Sequence, residues 1–258
     1  MKMKLLLTAF AVVCLLGSPA LAEVMTFQED VSPDGTYQTD VVTIHGTTQG
    51  STNEGGASFL IGDKNDGSTL PYRGLFGFDI SDIPAGSIID SVTLTLFAKG
   101  DDSTSVNADA TLQLFELIGS FNEDEANYAD RNTMSVPVVA WTTQGGDYSS
   151  LLSSVVDNPK TMTANEAITL ASSTAFVDAA QVALDGSGTI YTLLRIAEEG
   201  GNDASRHLFQ IHTDDNTVST SYNPILTVTY TEAVPEPSTI VMILVGAVAL
   251  LGFVRRQK

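Results

Sequence analysis

Between residues 23 and 232 the chain alternates short runs rich in Val, Ile, Leu, Thr and Phe with clusters of Gly, Asn, Asp and Ser. That spacing predicts an all-β domain. The strand candidates are Val41 to His45, Ser58 to Ile61, Gly74 to Phe78, Asp90 to Ala98, Thr111 to Leu117, Ile190 to Ile196, Arg206 to His212 and Ile225 to Tyr230. In Asp90 to Ala98, Val92, Leu94, Leu96 and Ala98 share one face at period two while Ser91, Thr93 and Thr95 take the other, which is the pattern of a half-buried strand. Leu226, Val228 and Tyr230 alternate with Thr227 and Thr229 in the same way. One segment changes period: Phe176, Ala179, Ala180, Ala183 and Leu184 follow helical spacing and predict a short helix. Roughly eight strands over this length suit a jelly-roll-like antiparallel β-sandwich.

Two uninterrupted apolar stretches at the ends do not belong to that domain. Lys2 and Lys4 precede the run Leu5 to Leu16, and Ala20-Leu21-Ala22 is a small-x-small cleavage site, so residues 1–22 read as a signal peptide cut after Ala22. Cys14 is not a lipid attachment site, because Val13 precedes it and Leu15 and Leu16 follow; processing removes this single thiol. At the other end Ile240 to Val254 is continuously apolar and Arg255-Arg256-Gln257-Lys258 closes the chain. Its fifteen residues span about 22 Å as a helix against a ~30 Å hydrocarbon core, so Ser238 and Thr239 are needed to extend a thin transmembrane helix over 238–254. The terminal cations keep the tail's end cytoplasmic and the body on the far side of the inner membrane.

Charge sharpens this division. The 258 residues carry 12 Lys and Arg against 31 Asp and Glu, a net of −19, and one hydrophobic residue in every two or three rules out a disordered chain. Both ends are basic and free of acid, so residues 23–236 hold seven cations, all the acids and a net of −24. Nucleic acid is excluded as a partner.

The tail closely resembles a PEP-CTERM sorting signal: Pro235-Glu236-Pro237, then the short membrane helix, then Arg255 and Arg256. The two prolines keep the segment extended ahead of the helix. The resemblance divides the chain into a leader (1–22), a body (23–232) and a sorting signal (233–258). It implies a Gram-negative source and signal peptidase and exosortase as processing partners. An inner-membrane stage then precedes the cell surface or extracellular matrix, commonly alongside exopolysaccharide.

The body is similar to the DNRLRE domain family, which is related to carbohydrate-binding modules. The similarity rests on the run from Arg73-Gly74-Leu75-Phe76-Gly77-Phe78-Asp79-Ile80 through Pro84-Ala85-Gly86 to Val92-Thr93-Leu94-Thr95-Leu96. It continues in Phe121 to Arg131, in Trp141-Thr142-Thr143-Gln144-Gly145-Gly146-Asp147-Tyr148 and in Pro224 to Tyr230. Phe121 and Tyr128 stand where family members tend to carry Trp, and Ile211-His212-Thr213-Asp214 departs from a Ser-rich stretch that ends in Glu.

Catalytic material is sparse. His207 and His212 differ by five and so face opposite ways on a regular strand, and they and His45 read as structural. No nucleophile elbow or phosphate loop is present. Glu123, Asp124 and Glu125 could supply a glycosidase pair, but a solvated loop with Glu123 or Glu125 packed against Arg131 is the simpler expectation. Asp63-Lys64-Asn65-Asp66-Gly67 fails as an EF-hand, with Gly74 at the twelfth position. Separate loops could still gather a structural calcium ion from Asp63, Asp66, Asp101, Asp102, Asp214 and Asp215, or those residues could serve turns alone.

These readings predict a non-enzymatic, exported sandwich that associates with extracellular polysaccharide. The contact candidates are Tyr72 with Arg73, and Trp141 with Tyr148, where Trp141 is equally suited to the core. The acid excess favours neutral glycans unless calcium bridges the partners or a basic patch around Arg73, Arg131 or Arg206 overrides it. A structural matrix or adhesion protein that binds other proteins is the alternative, and a polysaccharide-cleaving enzyme is a third.

Overall fold

A computed structural model describes residues 21–46, 58–63, 71–101, 105–199, 206–214 and 219–233. All but the last two residues of the predicted signal peptide, and the whole helix predicted for 238–254, lie outside them.

The strands are β1 (Ala22–Phe27), β2 (Thr39–His45), β3 (Ser58–Asp63), β4 (Tyr72–Asp79), β5 (Ile88–Gly100), β6 (Ala110–Leu117), β7 (Asp130–Asn132), β8 (Val139–Ala140), β9 (Tyr148–Asp157), β10 (Ala167–Leu170), β11 (Thr189–Ile196), β12 (His207–His212) and β13 (Ile225–Thr231), with one α-helix, α1 (Thr174–Asp185). Neighbours pair antiparallel throughout. One layer runs β10, β5, β13, β1 and the other β9, β6, β11, β4, β2. Past the end of the β13 ladder β5 pairs with β12, which carries β3, and Gly62 of β3 meets Tyr72 of β4. The layers are thus one sheet curled into the predicted jelly-roll-like sandwich.

The eight strands read from the pattern are all present. β5 buries Val92, Leu94, Leu96 and Ala98 as its alternation predicts. The expected turn forms between Ile83 and Ile88, closed by the Ser87 N–H on the Pro84 carbonyl at 3.1 Å. α1 extends the predicted helix by two residues at the start and one at the end. Ser173 caps it by accepting the Phe176 N–H at 3.1 Å, and Phe176, Ala180 and Ala183 pack into the core between the layers.

The strands β4 and β11 and the edge strand β2 pack apolar residues on both faces, and β6 adds Leu117 to the outer one. Their inner residues, among them Val41, Phe76, Phe78, Leu112, Leu114, Ile190 and Leu194, join the main core. Their outer residues Val42, Ile44, Leu75, Leu117 and Leu193 form a second apolar cluster with Phe121, Ala126 and Trp141. Those last three come from the 118–147 segment, which lies over the outer face of the sheet as a cover and carries the small β7–β8 ladder.

Carboxylates accept backbone N–H groups of β2 that its pairing with β4 leaves unused. Glu29 accepts the Thr39 N–H, and Glu123 accepts the Val41 N–H at 3.0 Å. Unpaired N–H groups on an edge strand invite pairing with another chain, so these acids blunt an aggregation-prone edge.

Candidate functional site

The Trp141–Tyr148 motif fastens the cover to the sheet. Trp141 is only 5% exposed, and its Nε1–H donates to the Asn127 carbonyl at 2.8 Å. Asp147 turns back to accept the N–H groups of Thr142 and Thr143, each at 2.7 Å. Gly145 and Gly146 have φ of 87° and 98°, backbone that a side chain resists. Space forbids a side chain as well: a Cβ on Gly145 would come within 2.6 Å of Arg73 Nη1, and one on Gly146 within 2.6 Å of Leu193.

Arg73 is the pin. It projects from the outer face of β4, donates from Nη1 to the Gly145 carbonyl at 2.7 Å, and grips Glu199 with Nε and Nη2 at 2.8–3.2 Å. Arg195 of β11 reaches the same Glu199 carboxylate at 3.3 Å and donates to the Tyr148 hydroxyl at 2.7 Å. The Arg73 guanidinium also lies 5.9 Å and 5.8 Å from the ring centres of Tyr128 and Tyr148. Burial pushes the Glu199 carboxyl above the usual range, and the two guanidiniums pull against that. Burial likewise raises the Tyr128 hydroxyl.

Arg73 and Tyr148, which the sequence assigned to separate pairs with Tyr72 and Trp141, meet in a buried clasp. Tyr72 is also buried and stacks on His45 at 4.9 Å. Neither Tyr72 nor Trp141 offers an open ring face, and Trp141 takes the core alternative. Arg73 is spent internally, which removes it from any basic patch. Of the four contact candidates, half-buried Tyr148 lines a shallow cleft of about 510 Å³ with Ile118, Thr142, Thr143, Gly146 and Asp147.

The acidic triplet divides its tasks. Glu123 holds β2, and Glu125 accepts the Met134 N–H at 2.7 Å, so each packs against backbone where Arg131 was the expected partner. A polar hollow of about 340 Å³ is lined by Asp40, Phe121, Asn122, Glu123, Asp124 and Asn132. Burial, and then the charge of Asp124, raise the Asp40 carboxyl there. His212 stacks on Tyr222 and shares a 3.1 Å hydrogen bond with Asn165.

Among the metal candidates, Asp63 ends β3 opposite His207 at the start of β12, whereas Asp214 follows the far end of β12. Seven residues of strand, roughly 23 Å, separate them, so they do not share an ion. Asp101 follows β5. Asp66, Asp102 and Asp215 lie outside the described residues, as do Pro235, Glu236, Pro237, Arg255 and Arg256. Among the described residues no three His, Cys, Asp or Glu side chains gather as a metal site, and no helix is long and apolar enough to cross a membrane.

β1 and β13 pair with Ala22 opposite Thr231, so the start of β1 and the end of β13 lie side by side. A cut after Ala22 trims one residue from β1 and leaves Glu23–Phe27 paired. Residues 233–258 match the PEP-CTERM protein-sorting motif. This match fits an exported protein sorted by an exosortase, with a membrane-anchored stage of processing. No curated protein matches the chain.

Glu199 and Arg195 were invisible to motif reading, because the Arg73–Glu199 contact spans 126 residues. The Gly145-Gly146 pair was the available signal, since paired glycines beside a conformationally fixed Trp mark a close approach.

Proposed function

We propose that this chain is a non-enzymatic surface protein that crosses the inner membrane, is sorted by an exosortase, and then associates through its β-sandwich with extracellular polysaccharide. The observation that carries the reading is the sorting motif over 233–258. The likeness of residues 25–231 to the DNRLRE domain supports the polysaccharide half, as does a cleft in which Tyr148 stands beside the polar residues Thr142, Thr143 and Asp147. The structural tasks of Glu123 and Glu125 support a role without catalysis. A body of net charge −24, with Arg73 and Arg195 both turned onto Glu199, favours neutral glycans over uronic-acid polymers.

Affinity electrophoresis against neutral and acidic polysaccharides, with and without calcium, tests this. Retardation by a neutral glycan that Tyr148→Ala abolishes is the expected result; no retardation by any polymer overturns the binding claim. A second reading, a matrix or adhesion protein, is favoured by the apolar tip beside the β7–β8 ladder, where Met134, Val136 and Val138 are exposed. Pull-down of a protein partner that is lost when Met134 and Val136 become Ser would put that reading first.

A further inference from the structure

One edge of the sandwich lacks the protection given to its neighbour. β9 ends the layer that runs β9, β6, β11, β4, β2, and among the described residues it pairs with β6 alone. It has ten residues, against six in β1, seven in β2 and four in β10, the other edge strands of the layers. From Tyr148 to Val156 it holds no charge and no proline, two of the devices with which edge strands turn partners away. A third device, the bulge, is confined to its first half, and from Ser153 to Asp157 the ladder with β6 is regular. β2, at the opposite edge of the same layer, is closed by the carboxylates of Glu29 and Glu123.

The open side of β9 is within reach of another chain. Among the described residues no hydrogen bond beyond those to β6 reaches the backbone of Ser154, Val155 or Val156. Leu151 and Val156 are exposed apolar side chains on this strand. Ser153 is buried opposite Leu114 and donates its hydroxyl to the Ala171 carbonyl at 2.7 Å, while the Ser173 hydroxyl at the start of α1 donates to the Leu152 carbonyl. The 171–173 segment therefore lies beneath β9, on the core side where α1 enters, and the edge beyond Ser153 is clear of it.

We propose that β9 pairs antiparallel with β9 of a second copy of this chain, about a two-fold axis within Ser153–Asp157, so that two layers join into one continuous sheet. The charge layout selects a second copy. Two bodies of net −24 repel, and they can meet only where their acids are held apart. Antiparallel pairing sets Asp157 of each copy at opposite ends of the joint ladder, beside uncharged residues of the other. Symmetry also supplies what the edge lacks, since each free N–H and carbonyl finds its counterpart on an identical strand. Because β2 is closed, the joined layer keeps no second open edge, and growth stops at a dimer rather than a fibre. So short a ladder is a small interface, which makes the dimer weak. The pairing does not depend on polysaccharide association: Tyr148 stands at the far end of β9, outside the contact. Where that reading holds, the two-fold axis puts both Tyr148 clefts on one face of the sheet and makes the polymer contact bivalent.

Thiol cross-linking of the full chain tests the proposal. Cys14→Ser removes the single native cysteine, Ser154→Cys places a thiol at the proposed contact, and Val182→Cys places one on the exposed face of α1 as a control. Each is treated with a short bis-maleimide, on exporting cells and after purification in detergent micelles. Ser154→Cys should give a cross-linked dimer at about ten times the yield of Val182→Cys, and Leu151→Lys with Val156→Lys should abolish it. Both lysines replace exposed side chains, so the melting midpoint should stay unchanged. Should the double lysine variant fail to fold, Ser154→Lys, with dimer read by sedimentation, gives the same comparison. Equal yields at the two cysteines would overturn the proposal, by showing encounter within a shared micelle or membrane. A chain that is monomeric and gives no dimer from Ser154→Cys overturns it, as does a dimer that the lysines leave intact. Cross-linking of Ser154→Cys to a different surface protein instead would hand the edge to that partner and overturn the pairing of copies. Loss of polysaccharide retardation would leave it untouched.

Discussion

Replacing Arg73 by Met removes the pin that joins the cover, β4 and the Glu199 segment. The methionine fills most of the volume, so the loss is chiefly electrostatic. Removing one partner of a buried ion pair costs about 3–5 kcal/mol, because the other charge stays buried. Arg195 remains 3.3 Å from Glu199, which holds the cost of that term near the lower end, about 3 kcal/mol. The Gly145 carbonyl also loses its 2.7 Å donor, adding about 1 kcal/mol. A total of about 4 kcal/mol lowers the melting midpoint of a domain this size by roughly 8–16 °C. Urea unfolding and calorimetry both measure it. The double variant Arg73→Met, Glu199→Gln should recover part of the loss, since the buried carboxylate is then gone and Arg195, the one charge that loses its ion partner, keeps its bond to the Tyr148 hydroxyl. A single-variant loss under about 1 kcal/mol, the value of an exposed pair, would refute the clasp.

Gly145→Ala meets both a positive φ and the Arg73 guanidinium, and should cost about 2 kcal/mol or more in the same unfolding assay, with a neutral result contradicting the close approach. Trp141 is the only tryptophan, so its fluorescence should be blue-shifted, resist acrylamide and stay unchanged when polysaccharide is added; strong quenching by a glycan would place it at a binding face. Thr36, through its hydroxyl and then its N–H, lowers the Asp34 carboxyl, and the Thr163 N–H and hydroxyl do the same for Glu166. A depressed folded-state value adds stability that is present above the ordinary carboxylate range and is lost as pH falls through the lowered value. Melting midpoints should therefore decline below about pH 4, and less steeply in a variant with Asp34→Asn and Glu166→Gln; parallel curves would contradict the assignment.

The architecture was legible where one face of a strand is buried and the other wet. β5 and β13 show this, with alternation surviving intact from sequence to burial. β9 was not legible, because its Leu151-Leu152, Ser153-Ser154 and Val155-Val156 doublets defeat period two. Its ladder with β6 shifts register twice, at Leu114/Phe115 and again before Leu117, and each shift changes which side chain faces inward. β1 was hidden for a different reason: it begins at the predicted cleavage site and lies at a sheet edge, where exposed Val24 faces no core. At the candidate site the Trp141–Tyr148 motif was visible but not its partners, since Arg73, Glu199 and Arg195 meet only through the pairing of β4 with β11. Among the described aspartates, spacing along β12 separates Asp63 from Asp214, which sequence proximity alone did not reveal.

The measurement that reaches the central claim is the intact mass of the protein recovered from the surface of exosortase-bearing cells. Export with sorting predicts a chain that begins at Glu23 and ends near Pro237, without the apolar helix or the terminal cations. A surface-released protein that still carries Lys258 would contradict it.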